Sequence, residues 1–202
     1  MIVEYLWDAR LAQYRNARTG RFVTRMEIRA ALDMAIEAAQ QRMLDASRQY
    51  RVGQIDLAAW RTAMASDIKN VHLYGAAAAK GGWGQLTADD YGRVGQILRV
   101  QYTYLNDFAG ELARGAQSTD AQFLARVRLY AQGGRVTYHA VELQVALDSD
   151  FVQMRNVLRP AEHCSQCVEI TGMGWMALDD PDFVPIGRRI CLANDRCSVE
   201  FR

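Results

Sequence analysis

The chain has 202 residues, half of them apolar, and a net charge of +1. That is ample apolar material for a buried core, which argues against intrinsic disorder, and the neutral balance gives no reason to expect a polyanion binder. No run of about 18 uninterrupted apolar residues exists, which excludes a transmembrane helix. The opening MIVEYLWDARLAQYR is too short and too charged for a secretory signal, so a soluble, intracellular protein with no membrane partner is expected. Lysine occurs only at Lys69 and Lys80; the many arginines read as a coding bias rather than as phosphate readers.

Residues 1–23 carry a turn signal at Thr19-Gly20, and Arg15, Arg18, Arg21 and Arg25 leave no continuous apolar stripe. The segment reads as an N-terminal arm with at most one short helix, either wrapping a neighbour or acting as a tether. Four long helical segments follow. Thr24 and Glu27 form a capping box ahead of a stripe through Ile28, Ala31, Leu32, Ala35, Ala38, Ala39 and Met43, which Gly53 ends. Asp56 caps a second helix through Trp60, Met64, Ile68, Val71 and Ala76–Ala79, stopped by Gly81-Gly82. Thr87 and Asp90 open a third, with Val94, Ile97, Leu98, Tyr102, Leu105, Phe108 and Leu112 inward and Gly115 closing it. Ser118 or Thr119 starts a fourth, through Phe123, Val127, Tyr130, Val141, Leu143 and Leu147, in which Gly133-Gly134 predicts a kink or a break. Long helices with short polar connections favour antiparallel packing. The expected fold is therefore mainly α: an antiparallel long-helix bundle over 24–150, and a small C-terminal zinc-binding α/β or zinc-ribbon-like module over 151–202.

Several features invite a functional reading and have a plainer one. Lys80–Gly84 lacks the G-K-[ST] ending of a phosphate cradle and reads as a helix–helix corner with Trp83 tucked into the core. His72 and His139 fall in helical patterns without ligand partners. Tyr91, Tyr102, Tyr104, Phe108, Phe123 and Tyr130 have core spacing rather than that of a base-stacking platform. Asp179, Asp180 and Asp182 read as an acidic turn.

The informative constellation is His163-Cys164-Ser165-Gln166-Cys167, then 23 residues, Cys191, five more, and Cys197. A C-x-x-C turn lets two thiolates share one ion, and a loop through Ala193-Asn194-Asp195 can close the second pair. Four thiolates at Cys164, Cys167, Cys191 and Cys197 make a closed tetrahedral site that suits structural zinc and leaves no position for a reacting water. Iron in the same site, a disulfide pair and free thiols are the alternatives. His163 is expected beside the site or exposed. A deaminase would need H-x-E with P-C-x-x-C, an HNH nuclease its own histidine set, and a redox C-x-x-C a thioredoxin-like βαβ context; none is present.

This ending, with Gly172, Gly174 and Trp175 in the spacer, then Pro185-Ile186-Gly187 and Asn194-Asp195-Arg196-Cys197-Ser198-Val199-Glu200-Phe201, resembles the C-terminal region of bacteriophage minor head proteins, the head-morphogenesis proteins of tailed phages and prophages. Tyr14–Val23, Gln101–Gly115 and Ala125–Tyr130 are similar to prophage proteins of this kind. The family ending often carries its last cysteines closer together, as C-R-C, and here Asp195 stands where the nearer one would be. The resemblance implies a virion or assembly component near the portal, present in the virion and in the host cytoplasm during assembly, with no catalytic activity. Portal or capsid proteins, further copies of the chain and packaged DNA are the expected partners. The alternative is a zinc-containing nucleic-acid-binding regulator in which Arg188, Arg189 and Arg196 touch phosphates; the neutral charge and the Asp179–Asp182 cluster weigh against it.

Overall fold

A computed structural model describes residues 4–8, 11, 13–116 and 119–202. The chain is mainly helical, with two small three-stranded antiparallel sheets among the described residues. Helix α1 spans Arg25–Arg51, α2 Leu57–Lys80, α3 Ala88–Ala113 and α4 Asp120–Leu147. Each begins where a side chain satisfies an orphan amide of the first turn. Thr24 Oγ1 accepts from Glu27 N (3.1 Å) while the Glu27 carboxylate accepts from Thr24 N (2.7 Å). The reciprocal pattern recurs at Thr87/Asp90 and at Thr119/Gln122, and Asp56 accepts from Ala59 N. Thr119 is thus the cap of α4; Ser118 lies outside the described residues.

α1 meets α2 through Tyr74 and Ala31, Arg42 and Asp67, and Trp60, whose indole donates to Ser47 Oγ at 2.9 Å. Gly133 and Gly134, expected to interrupt α4, lie inside one continuous helix. Their role is close approach: a Cβ on Gly134 would sit 2.7 Å from Val71 Cγ2, and one on Gly75 would sit 2.2 Å from the Gly134 carbonyl oxygen. Beside this crossing His72 is buried, its Nδ1 2.6 Å from Thr137 Oγ1. Trp60, Phe108 and Phe123 form the aromatic centre of the core, at ring separations of 5.6–6.0 Å. The other aromatics divide. Tyr130 is buried, Tyr102 half-buried, and Tyr91 and Tyr104 are exposed, against the core role expected of them. Trp83 is also 45% exposed, resting edge-on against Tyr74, because the short turn after Gly82 carries it off the helix surface.

The N-terminal segment differs from the expected arm. Strands β1 (Tyr5–Asp8), β2 (Gln13–Asn16) and β3 (Phe22–Val23) make an antiparallel meander. Its anchor is Tyr5, which is buried, donates its hydroxyl to the Ala78 carbonyl and its amide to the Gly81 carbonyl (2.9 Å). Those are orphan acceptors at the end of α2, so the meander completes the helix terminus. Gly81, at φ +97, is required there, since a Cβ would fall 2.1 Å from the Tyr5 carbonyl oxygen.

After α4 the chain turns at 148–150 into strand β4 (Gln153–Val157), followed by helix α5 (Ser165–Gly172), strand β5 (Met176–Ala177) and strand β6 (Ser198–Phe201). The sheet order is β5-β4-β6. Met154, Ile170, Met176, Phe183, Ile186 and Val199 form a second small core with Cys167 and Cys197. It docks on the helices: Gly187 (φ +89) lies so close to α4 that a Cβ would meet Val136 Cγ1 at 2.4 Å, and Arg29 Nη2 donates to the Val199 carbonyl at 2.9 Å. Among the described residues no helix is long and apolar enough to cross a membrane.

Candidate metal centre

Cys164 caps α5 and Cys167 lies in its first turn, so both sulfurs sit at the positive end of a helix, where a thiolate is favoured. Their Sγ atoms are 3.4 Å apart. Cys191 arrives from the long loop after β5, its Sγ 3.5 Å from that of Cys167. The two segments are tied by Ile190 N, which donates to Gln166 Oε1 at 3.0 Å. A single 3-10 turn at Leu192–Asn194, with Leu192 in the left-handed region (φ 49), brings the chain round to Cys197 beside β6. All four thiols are free.

The donor atoms of Cys164, Cys167 and Cys191 lie within 4.8 Å of one another, and so do those of Cys167, Asp195 and Cys197, with Cys167 common to both groups. A tetrahedral zinc–thiolate centre with bonds of about 2.3 Å needs sulfurs about 3.8 Å apart. The two shortest separations, 3.4 and 3.5 Å, fall a few tenths below that edge. Cys164, Cys167 and Cys191 are thus compatible with one thiophilic metal, while Cys197 joins the cluster through Cys167 and does not lie within 4.8 Å of all three.

Asp195 was not among the expected ligands, yet it sits in the cluster. It is buried, accepts from Cys197 N at 2.9 Å, and lies 3.8 Å from Cys167 Sγ. Its other oxygen is 3.3 Å from Arg189 Nη1. Arg189 is fully buried: its Nε donates to the Val184 carbonyl (2.8 Å), its Nη1 to Asn156 Oδ1 (2.9 Å), and it stacks over Phe183. Asn156 in turn donates to Thr171 Oγ1 at 2.6 Å. The Arg189 guanidinium thus lies beneath the thiols, 3.9 Å from Cys167 Sγ, where it would offset the excess negative charge of a divalent ion held by thiolates. Because of that burial Arg189 cannot reach a nucleic-acid phosphate, which corrects its place in the regulator reading; Arg188 and Arg196 remain exposed. In sequence Asp195 was marked by its place in the C-R-C position, whereas Arg189 was marked only as a phosphate contact and nothing marked Asn156.

Without an ion the thiols differ sharply. Burial opposes ionisation of Cys164, but hydrogen bonds from Cys167 and Cys191 outweigh it and bring this thiol down to about 7. Burial pushes Cys197 up to about 12, against a hydrogen bond from Asn156 and together with the charge of Asp195. Cys191 is raised by burial and then by its Cys167 and Cys164 contacts. A bound divalent cation removes this ordering, since coordinated thiols deprotonate outright. His163 flanks the cluster: its Nε2 is 2.6 Å from the Arg159 carbonyl, which places the ring proton there, and its Nδ1 faces Cys197 Sγ at 3.7 Å. His72 and His139 lie in the helices, bonded to Thr137 and Glu142. Comparison with protein-family models, with curated proteins and with solved structures found no match to this chain.

Proposed function

We propose that this chain is a structural component of a phage head, acting in head assembly near the portal, and that zinc held by Cys164, Cys167, Cys191 and Cys197 fixes its C-terminal module. The observation that carries the reading is the gathering of these thiols over a buried Arg189–Asp195 pair, within a segment whose sequence resembles minor head proteins. A four-thiolate site would leave no open position for a reacting water, which supports a folding role rather than catalysis, and we assign the chain no enzymatic activity. The contacts of α1 with α2 run in reverse order along the two helices, as do those of Arg29, Asp33 and Arg51 in α1 with Glu142, Arg135 and Asp120 in α4. That pattern supports an antiparallel long-helix bundle as the body. Val100 and Tyr104, one turn apart on α3 and about half exposed, are surface suited to a portal, capsid or sister subunit.

The mechanism is contact: the body supplies interface and the metal centre holds the C-terminal strands against it. Quantitative mass spectrometry of purified particles tests the role. A small fixed number of copies relative to the major capsid protein is expected. Absence from both mature particles and assembly intermediates would overturn it.

A further inference from the structure

A cleft of about 400 Å³ lies between the helices and the C-terminal module. Four arginines line it: Arg29 from α1, Arg135 from α4, Arg159 from the loop after β4, and Arg196 from the turn before β6. Asp33 is the one acidic residue among the described lining. Two of the four charges are already matched, Arg29 by Glu142 at 3.4 Å and Arg135 by Asp33. The other two form no direct ion pair among the described residues: Arg159 donates Nε to Ser198 Oγ at 3.1 Å, and Arg196 feels the carboxylates of Asp33 and Glu37 only at longer range. Arg29 adds a buried Nε with no hydrogen-bond partner.

We propose that this cleft binds a small phosphate monoester, its phosphate held between Arg159 and Arg196 and its organic part against Met26, Ala30 and Pro160. Two guanidiniums outside any direct ion pair suit a group carrying about −1.5 to −2 charge at neutral pH, and the planar guanidinium fork suits phosphate oxygens. The volume falls in the range of small-ligand sites. Since Arg159 and Arg196 flank the thiol cluster while Met26 and Ala30 lie on α1, ligand binding and module docking are coupled: the phosphate sits on the module and the organic part reaches the helix.

Calorimetric titration of the full chain with phenyl phosphate tests this. One saturable site is expected, and Arg159→Ala and Arg196→Ala should each weaken it about tenfold or more. Arg196→Lys should recover part of the loss, and Arg93→Ala, on the exposed side of α3, should leave binding unchanged. Metal content measured on each variant separates loss of the anion site from loss of the thiol centre. No saturable binding by about 10 mM ligand, or equal weakening by Arg93→Ala, would overturn the proposal. So would tighter binding of a short DNA duplex that the same variants abolish.

Discussion

Arg189 has no exposed surface, and Asp195 is the acid paired with it. Removing one partner of a buried pair strands the other, at a cost of about 3–5 kcal/mol. Asp195→Ala is therefore expected to lower unfolding free energy by that amount in urea titrations, while Asp195→Asn, which retains an acceptor for Cys197 N, should lose less. Equal stability of Asp195→Ala and the parent chain would contradict the network. His72 offers a residue-level pH prediction. Burial depresses it to about 4, whereas the unfolded chain takes up that proton near 6.5. The unfolded state thus gains protons first as pH falls; the His72 contribution is complete above about pH 6.5 and fades towards pH 4, with about 2 kcal/mol gone by pH 5. His72→Gln should lose that part of the pH slope, and an unchanged slope would exclude the assignment. The thiol positions were legible from spacing alone. Arg189 was not, because a charged residue in an arginine-rich tail is normally exposed, and only the folded loop shows it turned inward.

Helix starts were also legible, since Thr24, Asp56, Thr87 and Thr119 act through bonds three residues away. The break offered for α4 does not occur, because Gly133-Gly134 looks the same from within its own helix whether it breaks that helix or admits a neighbour. Val71 and Gly75 on α2 decide between the two. The meander was missed for a related reason: Thr19-Gly20 signals a turn, but what makes strands of its flanks is the docking of Tyr5 onto the end of α2, a contact with a partner 73 residues on. These contacts make opposite predictions for one substitution type. Gly134→Ala drives a methyl into Val71 and should destabilise by about 1–3 kcal/mol. Gly95→Ala, in α3 with open space around its Cα, should stabilise by about 0.5–1 kcal/mol through helix propensity and a restricted unfolded chain. Thermal melts of the two variants are the check, and destabilisation of both to the same degree would refute the close helix crossing.

At the level of the whole molecule, a large helical core and a small C-terminal core meet through Gly187 against Val136 and Arg29 on Val199. The change of character after 150 was visible in sequence, while the docking was not, because it depends on α4 presenting Val136 to a loop far along the chain. The small core holds few large side chains, so on the proposed reading the free energy of zinc binding decides whether it stands. Structural zinc contributes about 10–16 kcal/mol in small zinc domains, against a total stability of about 5–15 kcal/mol for most proteins. Cys164→Ser or Cys197→Ser is accordingly expected to abolish stoichiometric metal and unfold residues 151–202, seen as lost amide protection there, while α1–α4 stay protected. The most direct test of the account is elemental analysis of the purified chain together with its melting curve before and after a strong chelator. The account predicts one zinc per chain and a marked loss of stability when it is withdrawn. A chain purified without metal that melts at the same temperature with or without added zinc would contradict it.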